Sequence, residues 1–196
     1  MSSRIVFLDR DGVLNAVCVD PEHGTVDSPL HPSQVEVYPW VPEALKRLGD
    51  LGYTLAITTN QPSAAKGKTT RANLDAVHAR VVEVATSKGA RIATSQICFH
   101  RSEDGCECRK PKPGMLEAAF RELGGVDRTQ TWMVGDGVTD VDAGLRFGAR
   151  TGFFGPRKCD ACKIFEDRRL TPTYWGRNLA DFVDFLTASE TASDRT

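Results

Sequence analysis

Five short apolar segments, alternating with stretches whose apolar residues recur at helical spacing, restrict this chain more than any other feature. Residues 5–8 form a continuous apolar run that stops at Asp9, the pattern of a strand buried on both faces. Residues 54–58, 95–99, 131–134 and 151–154 supply four further strands. Between them, Val41, Ala44, Leu45, Leu48 and Leu51 mark one helix stopped by Gly52. Leu74, Val77, Val81, Val84 and Ala85 mark a second, closed by Gly89. A third is expected over 113–123, with Pro at an early position, and a short fourth through Val141 and Leu145 to Gly148. Asn178 is placed to cap a last helix through Leu179, Phe182, Val183 and Leu186. Alternation of this kind predicts an α/β fold, a Rossmann-like parallel sheet with helices on both faces. Its 196 residues fit a single domain over 1–188, with a polar, flexible tail at 189–196. Residues 16–40, with four prolines, read as one long irregular loop, and loops of that length usually carry function.

In such sheets ligands bind beyond the carboxyl ends of the strands. Three of the five expected strands end at polar, reactive residues: Asp9, Thr59 and Asp136. In extended backbone Asp9 and Asp11 face one site while Arg10 faces away. Asp-x-Asp-Gly by itself also describes an acidic turn, but two carboxylates on one strand tip repel unless a cation lies between them. Magnesium suits that position, taking one or two carboxylates together with phosphate oxygens. Thr59 offers a hydroxyl, Lys110 a compact positive charge, and Asp136 a third carboxylate.

The six cysteines point to a second metal. Cys98, Cys106 and Cys108 lie within eleven residues around His100, a closed set of three thiolates and one imidazole of the kind structural zinc takes. The chain's start runs straight into an apolar segment too short for a signal-peptide core, so a reducing, cytoplasmic setting is expected and a disulfide framework is not. Cys159 and Cys162 form a C-x-x-C that is half a zinc site, a redox pair or a loop with two free thiols; Cys18 reads as a bystander. With 25 basic and 26 acidic residues the net charge is −1, which argues against a broad nucleic-acid face. No apolar run is long enough to cross a membrane.

Asp9-Arg10-Asp11-Gly12-Val13-Leu14-Asn15, Thr59-Asn60-Gln61, Cys108-Arg109-Lys110-Pro111 and Gly135-Asp136-x-x-x-Asp140 occur in order at domain-scale spacing. Together they resemble the four motifs of the haloacid-dehalogenase (HAD) phosphohydrolase superfamily. The resemblance implies that Asp9 is the nucleophile and that Asp11 is the general acid and base. It implies that magnesium is held by Asp9, the Asp11 carbonyl and Asp136, with Asp140 behind them orienting Lys110 or a metal-bound water. Thr59 and Lys110 would hold the phosphoryl group. The Cys/His spacing leading into Arg109 and Lys110 is similar to the zinc loop, 98–108, of two HAD families, the heptose-bisphosphate phosphatases and the histidinol-phosphate phosphatases.

Gly67-Lys68-Thr69-Thr70, Pro113-Gly114-Met115 and His23-Gly24 resemble the heptose enzymes more. By that resemblance His23, Gly24, Asn60 and Gln61 contact the sugar, and Arg109 grips a second phosphate. A small phosphorylated sugar is then the expected substrate, met by a monomer without a large cap domain. Histidinol phosphate is the alternative, with Asp20, Glu22 and Asp27 as candidate anions for its amine, and a zinc-loop binding module without turnover is a third reading. The chain departs from the pattern at Pro62-Ser63, at Phe99 and at Gly137.

Overall fold

The computed structural model describes residues 4–20, 25–156 and 159–193. In chain order its elements begin with β1 (Ile5–Leu8), β2 (Cys18–Asp20), β3 (Thr25–Asp27), α1 (Val41–Asp50), β4 (Thr54–Asn60), α2 (Arg71–Ala85) and β5 (Ile92–Cys98). They continue with α3 (Gly114–Glu122), β6 (Thr131–Gly135), α4 (Val138–Phe147), β7 (Arg150–Phe154), α5 (Cys159–Asp167), β8 (Tyr174–Gly176) and α6 (Leu179–Ser193). Six strands form one sheet in the order β5-β4-β1-β6-β7-β8, and every pairing in it is parallel.

The alternation within β1 divides the core. Val6 and Leu8 point to the face covered by α1, α2 and α6, while Ile5 and Phe7 point to the face covered by α3 and α4. All four are fully buried, so each contributes roughly 1.5–3 kcal/mol through removal from water. Phe7 meets Phe147 of α4 edge to face, with ring centres 5.5 Å apart. Gly148 closes α4 in the left-handed conformation, as its position after the last helical turn predicts. Asn178 accepts the Asp181 amide and so opens α6.

The register brings the reactive ends together. Leu8 lies opposite Ile57 on one side and Val134 on the other, so β1, β4 and β6 end at one edge of the sheet. The Asp9 amide continues the ladder by donating to the Val134 carbonyl at 2.9 Å.

The structure departs from the expected pattern in five places, one of them the added edge strand β8. The segment 16–40 is not wholly irregular: β2 and β3 pair as an antiparallel hairpin, three residues a side, too short for any periodic signal. Strand β5 begins at Ile92, three residues before the expected start. The C-x-x-C lies in a helix, α5, anchored by Phe165 against Phe153, and the Cys162 side chain is exposed. Helix α6 continues to Ser193, past the expected end at Ala188. There Ser189 and Thr191 hydroxyls donate back to the Phe185 and Thr187 carbonyls, and Glu190 pairs with Arg4. Among the described residues no helix is long and apolar enough to cross a membrane.

Candidate active site

Asp9, Thr59, Asn60, Lys110, Asp136 and Asp140 line one pocket of about 280 Å³ at the carboxyl edge of the sheet, with Asp11 in its wall. Lys110 is its organising cation. It is buried, and its ammonium lies 2.9 Å from Asp9 Oδ1 and 2.6 Å from Asp140 Oδ1 while donating to the Thr58 carbonyl at 2.7 Å. Burial alone would lower its pKa, but the charges of Asp140 and Asp9 outweigh that and raise it, so Lys110 stays charged. Asn60 clasps the backbone of the same residue, accepting from its amide at 3.1 Å and donating to its carbonyl at 3.2 Å.

Asp9, Asp136 and Asp140 each present an oxygen within 4.8 Å of the others. Burial, the largest influence, together with Asp140 and Asp11, pushes Asp9 up to about 6 against the pull of Lys110. Burial and then the charges of Asp9 and Asp140 push Asp136 up to about 7. Carboxylates crowded in this way fit a divalent cation, which relieves the repulsion that raises them. Two glycines make the crowding possible. A Cβ on Gly12, whose φ is +82°, would stand 1.9 Å from Asp136 Oδ2, and one on Gly135 would stand 2.1 Å from Asp140 Oδ2. The Asp140 Oδ2 accepts the Gly137 amide at 2.9 Å, which holds it toward Lys110.

Arg10 is absent from the lining that holds Asp9 and Asp11, as the strand pattern predicts, but it turns into the protein interior behind Asp11. The chain turns tightly after β1, and the Arg10 carbonyl accepts the amides of Leu14 at 2.8 Å and Asn15 at 3.2 Å. Its guanidinium is fully buried, with Nη2 donating to both oxygens of Asp11 at 3.0 and 3.1 Å. Asn15 and Gln61 donate to the same carboxylate at 2.9 and 2.6 Å. Burial would raise Asp11, but the Arg10 charge and these hydrogen bonds hold it below the usual carboxylate range. Gln61 is therefore not among the pocket-lining residues: it is fully buried behind Asp11 and also donates to Thr59 Oγ1 at 3.0 Å. That leaves the Thr59 hydroxyl proton for an incoming oxygen.

Arg109 is likewise not in this lining. Its Nη1 donates to the His100 carbonyl at 3.2 Å, and it lines a neighbouring pocket of about 250 Å³ with Arg101, Lys112 and Arg146. His23 and Gly24 lie outside the described residues.

The cysteines and histidine converge as the spacing predicts. Cys108 Sγ is 3.2 Å from Cys98 Sγ, 3.5 Å from Cys106 Sγ and 3.2 Å from His100 Nδ1. Cys98 is 3.7 Å from Cys106 and 3.6 Å from His100 Nδ1. A zinc tetrahedron with bonds of about 2.3 Å to sulfur has sulfur–sulfur edges of about 3.8 Å, close to these separations. Burial and the neighbouring sulfurs push the Cys108 thiol up to about 12, so at neutral pH it becomes a thiolate only with a cation beside it. The cluster is joined to the pocket through Cys98, which pairs with Asn60 in the sheet and accepts the Gln61 amide at 2.6 Å.

A family model described as haloacid dehalogenase-like hydrolase matches residues 14–148. The chain belongs to the haloacid dehalogenase-like hydrolases. Among curated members, the D-glycero-β-D-manno-heptose-1,7-bisphosphate 7-phosphatase of Pseudomonas aeruginosa is 39% identical over 151 residues, covering 73% of this chain and 76% of that one. The enzyme of the same name from Neisseria meningitidis is 33% identical over 145 residues, 71% of each chain. The heptose-bisphosphate phosphatase of Bordetella bronchiseptica, solved with magnesium and phosphate, superposes with a TM-score of 0.78 at 27% identity, covering 95% of this chain and 99% of that one. This HAD member thus pairs the family's acidic strand-end site with a Cys/His cluster able to hold a metal.

Proposed function

We propose that this phosphatase removes the 7-phosphate of D-glycero-β-D-manno-heptose 1,7-bisphosphate through an aspartyl-phosphate on Asp9, in the cytoplasm and as a monomer. The observation that carries the reading is the contact of Asp9 with Lys110 at 2.9 Å, in a pocket that also holds Thr59 and Asp136. It is supported by relatives of that name aligning over more than two thirds of the chain.

A carboxylate oxygen of Asp9 attacks phosphorus, and the bond from phosphorus to the sugar oxygen breaks with its electron pair on that oxygen. Lys110 and the Thr59 hydroxyl hold the phosphoryl oxygens as charge shifts among them. A magnesium ion held by Asp9, the Asp11 carbonyl and Asp136 would neutralise that charge. Asp140 positions Lys110. Water then attacks phosphorus, gives its proton to Asp11, and Asp9 leaves as a free carboxylate. The contacts with Arg10, Asn15 and Gln61 hold Asp11 in the ionised form that this second half needs. To protonate the leaving oxygen in the first half, Asp11 has to enter with a proton, which it regains from the attacking water in the second. Cys98, His100, Cys106 and Cys108 would hold a zinc ion with four protein ligands, which would fix the loop that presents Lys110 and leave the chemistry to the carboxylate site.

The raised carboxylates give a pH test. Without a cation, Asp9 and Asp136 bind protons more tightly folded than unfolded, where an Asp titrates near 3.8. The folded chain then carries the extra protons between about pH 4 and pH 7, and its stability falls as pH rises through that window. Magnesium favours the ionised forms, so its stabilising effect is expected to grow from about pH 5 to about pH 8. Thermal melts with magnesium and with chelator at both values measure this, and an equal magnesium effect at both refutes the site.

The substrate is tested by comparing hydrolysis of the two heptose bisphosphate anomers with that of histidinol phosphate. The β-anomer is expected to have the highest kcat/KM, and a preference for histidinol phosphate overturns the assignment.

A further inference from the structure

The pocket has a second wall whose chemistry the phosphoryl site does not use. Val17 precedes the β2–β3 hairpin, Val26 and Asp27 end it, and these with Ser28 line the pocket together with the catalytic carboxylates. Asp27 is held from two sides. Its Oδ2 is ion-paired with Lys68, and its Oδ1 accepts the Ser28 amide at 2.9 Å and the buried Ser63 hydroxyl at 3.4 Å. Ser63, in the Pro62-Ser63 segment after Gln61, thus supplies a hydroxyl to this carboxylate. A further contact, from the Thr69 hydroxyl to the Leu30 carbonyl at 2.8 Å, ties the same two segments together.

Among the described lining residues Lys110 is the one cation, and its donors are directed to Asp9, Asp140 and the Thr58 carbonyl. Lys68 brings a second cation to the rim through Asp27. Its side chain is 48% exposed and makes one ion pair, so an ammonium with three donors keeps capacity for another anion. Arg109 donates to the His100 carbonyl and lines the adjoining pocket, which shares Lys110 with this one. A carboxylate beside a cation is the arrangement that reads a polyhydroxylated leaving group ending in an anion. The carboxylate accepts its hydroxyls, and the ammonium both screens the carboxylate and binds the anion.

We propose that Asp27 and Lys68 are the specificity residues for the leaving group, Asp27 accepting sugar hydroxyls and Lys68 binding the phosphate at the far end. This deepens the heptose-bisphosphate reading and rests on it. The preference at stake is the ratio of kcat/KM for a sugar bisphosphate to that for the matching monophosphate, measured on hexose 1,6-bisphosphate and hexose 6-phosphate as well as on the heptose pair. In Lys68→Met the ratio is expected to fall about tenfold, the weight of one charge-assisted contact. Exchanging the charges, Asp27→Lys with Lys68→Asp, keeps an ion pair across the hairpin but places the carboxylate where the ammonium stood. The unfolding midpoint is expected to stay near that of the unaltered protein while the preference stays lost. Recovery of the preference in the exchanged protein shows a latch only and overturns the inference. A preference retained in Lys68→Met overturns it alone. No preference in the unaltered protein overturns the heptose-bisphosphate reading and this inference with it.

Discussion

Asp9→Asn is expected to abolish phosphate release, lowering kcat by about 10⁴-fold or more, the scale on which removal of a covalent nucleophile acts. An amide cannot form the acyl phosphate, and no neighbour can take its place. Asp11 is gripped by Arg10, Asn15 and Gln61, and Asp140 is held by Lys110 and the Gly137 amide. The fold should survive the change. Lys110 keeps Asp140 and the Thr58 carbonyl, and one carboxylate fewer relieves the repulsion that raises Asp136. A phosphate-release assay beside a thermal melt separates the two effects. Turnover that persists in a well-folded Asp9→Asn protein excludes Asp9 as the nucleophile.

The second large effect is expected at the cysteine cluster. Cys108 is within 3.5 Å of two sulfurs and a ring nitrogen, and it lies two residues before Lys110. In Cys108→Ser, zinc is expected to fall from one ion per chain toward none. The midpoint of unfolding is expected to drop by about 10 °C, which corresponds to roughly 3–5 kcal/mol in a chain of this size. Activity should fall as well, because Lys110 is held at its amide and carbonyl by Asn60, and Asn60 pairs with Cys98 at the end of β5. Elemental analysis and calorimetry measure both. An unaltered protein purified without zinc, or a Cys108→Ser protein that retains a full equivalent, contradicts the cluster's role.

The parts of the site that lie on strand ends could be read in advance, because buried parallel strands carry an unmistakable apolar run and the residue after each run lands on one edge. Asp9, Thr59 and Asp136 follow from that alone, and Lys110 and Asp140 from their motifs. The four zinc-type ligands were legible for a different reason: they are close in sequence, so short-range spacing determines their convergence. Strand alternation turns Arg10 out of the pocket but does not say where it goes, because the chain enters a tight turn after β1 that brings the guanidinium onto Asp11. A signal was present, since a basic residue at the buried end of a strand needs an anionic partner and Asp11 is adjacent. The Asp27–Lys68 pair spans forty-one residues, and no local periodicity joins them. The motifs that name Gln61 and Arg109 do not show their partners, which the fold supplies: Asp11 for one and the His100 carbonyl for the other. The third strand's early start and the two late elements, α5 and β8, escaped for lack of a sustained apolar pattern: β8 has three residues, none of them buried.

Phosphorus NMR of D-glycero-β-D-manno-heptose 1,7-bisphosphate turned over by the protein with magnesium tests the central claim most directly. The expected spectrum shows inorganic phosphate rising as the C7 resonance disappears, with the anomeric 1-phosphate left intact. Loss of the anomeric phosphate instead, or no turnover by protein that carries its full complement of metal, would contradict it.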